Sequence, residues 1–291
     1  HAIWGMIHSD TLWAAFVWGW SRIIGDPNPL VDGPPVRLSS AFPYSGERYL
    51  FPVPLEPAGH LFSGVPSEYL KELRKVQFLP KGCFEKWING ERLTLEDLEE
   101  IKGLRKELES KIVPLFEPHV RLGPVAYEPE FYYLGAISFD AEWGLYFLIE
   151  GEVPKEFFYV LDFLSEEGLG GKRNRGLGVF KWTKGTLELR VPESASRWVL
   201  LSVMNPGDED PLEELRCSYF NVYLQRGWSL SPCGVQVMRA PVMMILEGSV
   251  LSFKPRGRIV DVTPEGVTGL PHRIYRHGLA FSIPFKGVSN V

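Results

Sequence analysis

Cysteine is scarce in this chain. Its 291 residues hold three, Cys83, Cys217 and Cys233, far apart and with no C-x-x-C pair. That excludes a zinc knuckle and a disulfide framework, and makes a reducing, cytoplasmic setting the default. Positive charge is also short: 31 Lys and Arg stand against 36 Asp and Glu, for a formal net charge of −5. Bulk charge therefore argues against a nucleic-acid binder, and any RNA site has to be a local basic surface. Long apolar runs are missing. The longest, Leu12 to Ile24, is interrupted by Gly19, Ser21 and Arg22, too short to cross a bilayer and unlike a signal peptide, so no membrane partner is expected. Metal-type spacing is absent as well: His60, His119, His272 and His277 fall into no ligand pattern with carboxylates or thiols. Neither a metal nor an organic cofactor is expected.

What is present is apolar and aromatic. Hydrophobic residues make up 45% and aromatics 13%, enough to fill one large domain or two ordinary ones. Thr11 to Trp20 reads as a buried helix, capped by Ser9 or Asp10 and closed at Gly25. Residues 26–66, rich in Pro, Gly and Ser, read as irregular loop with short extended pieces such as Tyr49 to Val53. A helix is predicted over about 94–112, started by a Thr94/Asp97 capping box. Residues 119–135 predict a loop or hairpin bearing exposed aromatics. Strands follow near 134–140 and 144–150, joined by a turn at Glu142–Gly144, the second apolar enough to be central. Pro154 opens another helix, with Phe157, Val160, Leu161 and Leu164 on one face. Strands are predicted at 179–182 and 186–191, and six more between Trp198 and Ile283. A boundary is expected near 192–196.

The richest chemistry lies at Gly168-Leu169-Gly170-Gly171-Lys172-Arg173-Asn174-Arg175-Gly176-Leu177-Gly178. Five glycines surround three basic residues, and no acid occurs from 168 through 184. A dinucleotide fingerprint would follow a strand and open a helix, and a P-loop would end in G-K-[ST]; this loop follows a helix and precedes a strand. Two readings stay open: a backbone cradle for RNA phosphates, where glycine permits close approach and arginine bidentate contact, or a flexible basic turn. His8, Ser9 and Asp10 look like a catalytic set only in one dimension. Three successive side chains at a helix start diverge, so capping is the simpler role.

The G-x-G-G-x-x-x-x-G-x-G pattern resembles the glycine-rich loop of the RAMP superfamily of CRISPR proteins. Ile7-His8-Ser9-Asp10-Thr11-Leu12, Glu247-Gly248-Ser249-Val250 and the stretch His272 to Phe281 resemble, in the same order, segments of the fourth-subunit family of the type III-A Csm effector. The resemblance implies an α+β protein of two ferredoxin-like (RRM-like) domains, 1–192 and 193–291, with a helical and loop insertion and a thumb-like hairpin in the first. It also implies a strand before the first helix, which His1 to Ile7 do not spell out. The implied role is non-catalytic: binding the 5′ tag of crRNA and bridging the large polymerase-like subunit to the backbone subunits in antiviral defence. The alternatives are a RAMP-type crRNA-processing endoribonuclease and the equivalent type III-B subunit. Candidate RNA contacts are Gly168, Gly170, Gly171, Lys172, Arg173, Asn174, Arg175, Gly176 and Gly178 in the loop and His8 and Ser9 at the first helix. Arg121, Tyr127, Phe131 and Tyr133 on the hairpin and Arg273 and Arg276 near the end complete the set, with Lys254, Arg256 and Arg258 as further basic surface. No catalytic residue is expected.

Overall fold

The computed structural model describes residues 6–57, 73, 75–121, 130–230 and 235–286. Tyr127, His60 and Cys233 lie outside the described residues, as does most of the segment before the first helix. Within them α1 (Ser9–Ile23) precedes β1 (Val36–Leu38), β2 (Phe42–Ser45) and β3 (Arg48–Pro52). β4 (Phe78–Pro80) runs into α2 (Lys81–Ile88), and α3 (Leu95–Lys111) into β5 (Ile112–Arg121) and β6 (Glu130–Phe139). β7 (Trp143–Tyr146), β8 (Ile149–Gly151) and α4 (Lys155–Glu167) follow. The remainder carries β9 (Arg197–Leu200), β10 (Val222–Gln225), β11 (Trp228–Leu230), β12 (Gln236–Met238), β13 (Val242–Ile245), β14 (Val250–Leu251), β15 (Val260–Asp261), β16 (Tyr275–Arg276) and β17 (Ser282–Phe285). The sheets are small and antiparallel, the largest ordered β4-β3-β2-β7 and the next β14-β9-β17. No helix among the described residues is long and apolar enough to cross a membrane.

Two apolar clusters organise these pieces. One joins α1 to α4. Phe16 stacks on Phe157 with ring centroids 4.0 Å apart. A Cβ at Gly19 would sit 2.8 Å from the Val160 side chain, so glycine lets the two helices approach. The other cluster holds Phe42, Leu50, Phe51, Leu79, Phe84, Leu98 and Ile101. Val199, Leu201, Val250 and Ile283 belong to it too, so this core runs across the boundary expected near 192–196. α3 is held as its sequence reads: Thr94 accepts from the Asp97 N–H at 3.2 Å, the Asp97 carboxylate accepts from the Thr94 N–H at 2.7 Å, and Leu98, Ile101 and Leu104 face inward.

Several expectations are corrected. α1 begins at Ser9 with His8 as its N-cap and no side-chain cap bond, because Ser9 and Asp10 are turned into the interior. In the stretch after it, β3 forms at the extended piece expected over Tyr49 to Val53, and β1 and β2 are further strands not expected from the sequence. The hairpin expected over 119–135 is longer: β5 and β6 pair over ten positions, from Ile112 opposite Phe139 to Arg121 opposite Glu130. β6 therefore does not form a hairpin with β7. The turn between them is held instead by Asp140, which accepts from Lys111 at 2.8 Å, and β7 pairs with β2 at the edge of its sheet rather than its centre. The apolar run at 145–149 splits between β7 and β8. Residues 179–191 form no ladder among the described residues. Phe180, Trp182, Leu187 and Leu189 are nonetheless the inward positions, so the burial keeps the strand-like alternation without the pairing.

Candidate nucleic-acid interface

The glycine-rich loop is a closed ring with a tight neck. The Gly168 N–H donates to the Leu164 carbonyl at 2.8 Å and ends α4. One residue on, the Leu169 N–H donates to the Gly178 carbonyl at 2.9 Å. Gly168 (φ 84°) and Gly178 (φ 82°) both take the left-handed backbone that side chains disfavour. Space is lacking as well. A Cβ at Gly168 would stand 2.7 Å from the Leu177 carbonyl oxygen, and one at Gly178 would overlap that of Leu169. Past the neck, Arg173–Arg175 make one turn of 3-10 helix. Lys172, Asn174 and Arg175 are exposed there, and Gly170, Gly171 and Gly176 face open space.

Two arginines dock this ring. The Arg173 guanidinium lies over the Trp18 indole of α1, 3.9 Å from its centroid. Arg175 reaches the β5–β6 ribbon: Nη2 donates to the Tyr132 hydroxyl at 2.7 Å, and Nη1 lies 3.1 Å from His119 Nδ1. His119 and Tyr132 are cross-strand partners and stack at 5.5 Å. Strand periodicity then sorts the ribbon's aromatics. Phe131, opposite Val120, and Tyr133, opposite Pro118, fall on the other face with Phe116. Phe131 is 72% and Tyr133 73% exposed. Arg121 ends the described part of β5.

The other expected contacts lie elsewhere. His8 Nδ1 bonds Glu247 Oε1 at 2.9 Å, and the Ser40 hydroxyl donates to the same oxygen. Burial works to lower the His8 pKa, but the Glu247 carboxylate outweighs it and the net direction is up. Ser9 is fully buried; its N–H donates to Ser40 Oγ at 2.9 Å and its hydroxyl accepts from the Val203 N–H at 3.1 Å. Arg276, also buried, donates to Asp10, which further accepts from Gln225 Nε2 at 3.0 Å. His277 is fully buried beside Trp13, and desolvation pulls its pKa down to about 4. The structure thus places Ser9 and Arg276 inside and leaves them no surface for RNA. Arg256, Arg258 and Arg273 are on the surface, each paired with an acid: Glu209, Asp208 and Asp261.

Three potential ligand groups, on Cys83, Asp97 and Glu100, converge near the start of α3. Burial pushes the Cys83 thiol up to about 12, so it is protonated at neutral pH. Asp97 is already committed to Lys86 Nζ at 2.7 Å and to the helix cap, and the arrangement is an ion-paired cap. Sequence reasoning had missed Trp18 and the part played by Tyr132. The aromatic richness of both segments was visible, but not which of the rings Arg173 and Arg175 reach across the fold.

A description of the CRISPR Csm4 C-terminal domain matches residues 193–285. The CRISPR system Cms protein Csm4 of Thermococcus onnurineus (strain NA1) is 31% identical over 260 residues, covering 85% of this chain and 79% of the relative. Its namesake in Methanocaldococcus jannaschii is 23% identical, over 97% of this chain and 91% of the relative. The fold is similar to a chain of the Csm1-Csm4 cassette in complex with cA4, with a TM-score of 0.65 at 23% identity, covering 98% and 93% of the two chains. It is also similar to a chain of the Csm3-Csm4 subcomplex in the type III-A CRISPR-Cas interference complex, with a TM-score of 0.62 at 21% identity over 97% and 94%.

Proposed function

The chain belongs to the Csm4 family of CRISPR proteins, and from that premise we propose that it is a non-catalytic subunit of a cytoplasmic type III-A RNA-guided effector complex. It binds the 5′ tag of crRNA and bridges the large polymerase-like subunit to the backbone subunits, in antiviral defence. The observation that carries this reading is the acid-free loop held between α1 and a ribbon with exposed aromatics. Phosphates would lie along the loop, met by Lys172, Arg173 and backbone N–H groups. Phe131 and Tyr133 would meet bases, each stack contributing about 1–3 kcal/mol. The partner assignment leans on similar chains found with Csm1 and with Csm3. The architecture we propose is two ferredoxin-like domains, 1–192 and 193–291, with α2, α3 and the β5–β6 ribbon inserted in the first. The non-catalytic role is supported by the commitment of His8 to Glu247 and of Ser9 to Ser40 and Val203. A local basic surface is compatible with the net charge of −5.

The test is a pull-down of the tagged chain from cells carrying its CRISPR locus, with the proteins identified and the RNA 5′ ends sequenced. Csm subunits with crRNAs of uniform 5′ tag are expected; type III-B subunits would move it to the sister complex. Recovery of the chain alone, or with freshly cleaved repeat fragments, overturns the proposal in favour of a processing nuclease.

A further inference from the structure

The three basic side chains of the loop are not equivalent. Lys172 is exposed, and Arg173 lies flat on an indole. Arg175 has both terminal nitrogens engaged, one with Tyr132 and one with His119. A guanidinium is a rigid fork that suits two acceptors at fixed separation, and a lysine ammonium cannot reproduce it. The two acceptors sit directly opposite each other on the ribbon. Glu117, on the same face, lies 3.6 Å from the His119 ring.

The ribbon needs such a hold. β5 and β6 pair only with each other among the described strands, and a lone two-stranded hairpin is marginal in water. Its base is pinned by the Lys111–Asp140 pair. His119 lies seven residues beyond Ile112, which is roughly 23 Å along the strand at about 3.3 Å per residue. Between base and contact, Leu134 is the buried residue on the docked face. Phe131 and Tyr133 flank the contact, one position to either side of Tyr132 and on the opposite face, so a small change in ribbon angle moves both rings.

We propose that Arg175 is a positioning residue: it fixes the angle of the β5–β6 ribbon against the glycine loop, and so the distance between the aromatic face and the phosphate cradle, without itself contacting phosphate. The role assigned to the cradle rests on the RNA-binding reading above. The latch does not, and the two can fail separately.

Two measurements test this. The first is amide hydrogen exchange across 112–121 and 130–139 in the full chain without RNA. Arg175→Lys and Tyr132→Phe should each speed ribbon exchange about fivefold, the effect of losing one hydrogen bond of ordinary strength, while Lys172→Ala leaves it unchanged. The second is the salt dependence of tag-RNA binding by the reconstituted complex. Lys172→Ala should lower the log–log slope by about 0.7, the value for one contact to a single strand. Arg175→Ala should leave the slope unchanged and weaken cross-linking of the ribbon to RNA. A slope lowered by about 0.7 in Arg175→Ala overturns the proposal, because it makes Arg175 a phosphate ligand. Unchanged ribbon exchange in both Arg175→Lys and Tyr132→Phe overturns it as well. If the wild-type complex binds no tag RNA, the function proposed above fails and the exchange measurement still decides the latch.

Discussion

Two regions of this chain combine basic, hydroxyl and aromatic side chains, and they end in opposite places. At the start of α1, His8, Ser9 and Asp10 are closed against Glu247, Ser40, Gln225 and Arg276. At the glycine loop, Lys172 stays at the surface, while Arg175 is exposed but held by Tyr132 and His119. The first region joins residues up to 266 positions apart; the second is local, a ring closed within eleven residues. The segments that resemble the Csm family around His8, Glu247 and Arg276 turn out to be one seam, with His8 bonded to Glu247 and Arg276 to Asp10. A recognisable motif can therefore mark how a fold closes rather than what it binds. Burial separates the two cases: a charge taken out of water has to be paired, whereas a charge left in water, such as that of Lys172, need not be.

The largest effect should come from opening the seam. Asp10→Ala leaves Arg276 buried without its carboxylate and should cost about 3–5 kcal/mol in urea unfolding. Lys172→Ala should stay within about 0.5 kcal/mol, as exposed substitutions do. Near-equal costs would erase the contrast between the regions.

A titration sharpens it. His277 is held neutral by burial, with Asp10 opposing and Arg37 reinforcing the shift, and its pKa falls from 6.5 to about 4. The unfolded chain takes up a proton below pH 6.5 that the folded chain refuses until about pH 4. Stability is thus fully present above 6.5 and declines as pH falls, by about 1.4 kcal/mol per unit and ~3 kcal/mol in all. His8 works in the opposite sense: with its folded pKa raised, its contribution is present at low pH and lost as pH rises through that value. The difference between wild type and His277→Leu isolates the first term. The variant should lack the decline between pH 6.5 and 4, and parallel curves would show that His277 is not the group responsible.

Much of this was legible in the sequence, for identifiable reasons. The capping box at Thr94 and Asp97 and the apolar face of Phe157, Val160, Leu161 and Leu164 are local signals, and both elements form where those residues put them. The hairpin was visible in outline only. Its extension back to Ile112 and its separation from β7 depend on Lys111 meeting Asp140, 29 residues away. The inward turn of Ser9 and Arg276 was not legible either, because their partners Val203 and Asp10 lie 194 and 266 residues distant. For the loop, the glycine spacing was apparent, but not which glycines the fold itself requires.

That last distinction gives the finest test of the comparison. Gly178 is needed by the fold: its backbone is left-handed and a Cβ would overlap the Leu169 carbonyl oxygen. Gly178→Ala should cost about 1–3 kcal/mol of strain and open the neck. Gly171 has ordinary backbone angles and nothing within 4 Å of where its Cβ would be, so internal packing gives no reason for glycine there. The remaining reason is room for a ligand to approach the main chain. Gly171→Ala should leave the unfolding curve within about 0.5 kcal/mol and weaken tag-RNA binding about tenfold, or ~1.4 kcal/mol. Unfolding and RNA titrations on the two variants measure both effects. If Gly171→Ala binds RNA as the wild type does, the tip of the ring is not the cradle, and the RNA path has to run along the ribbon instead.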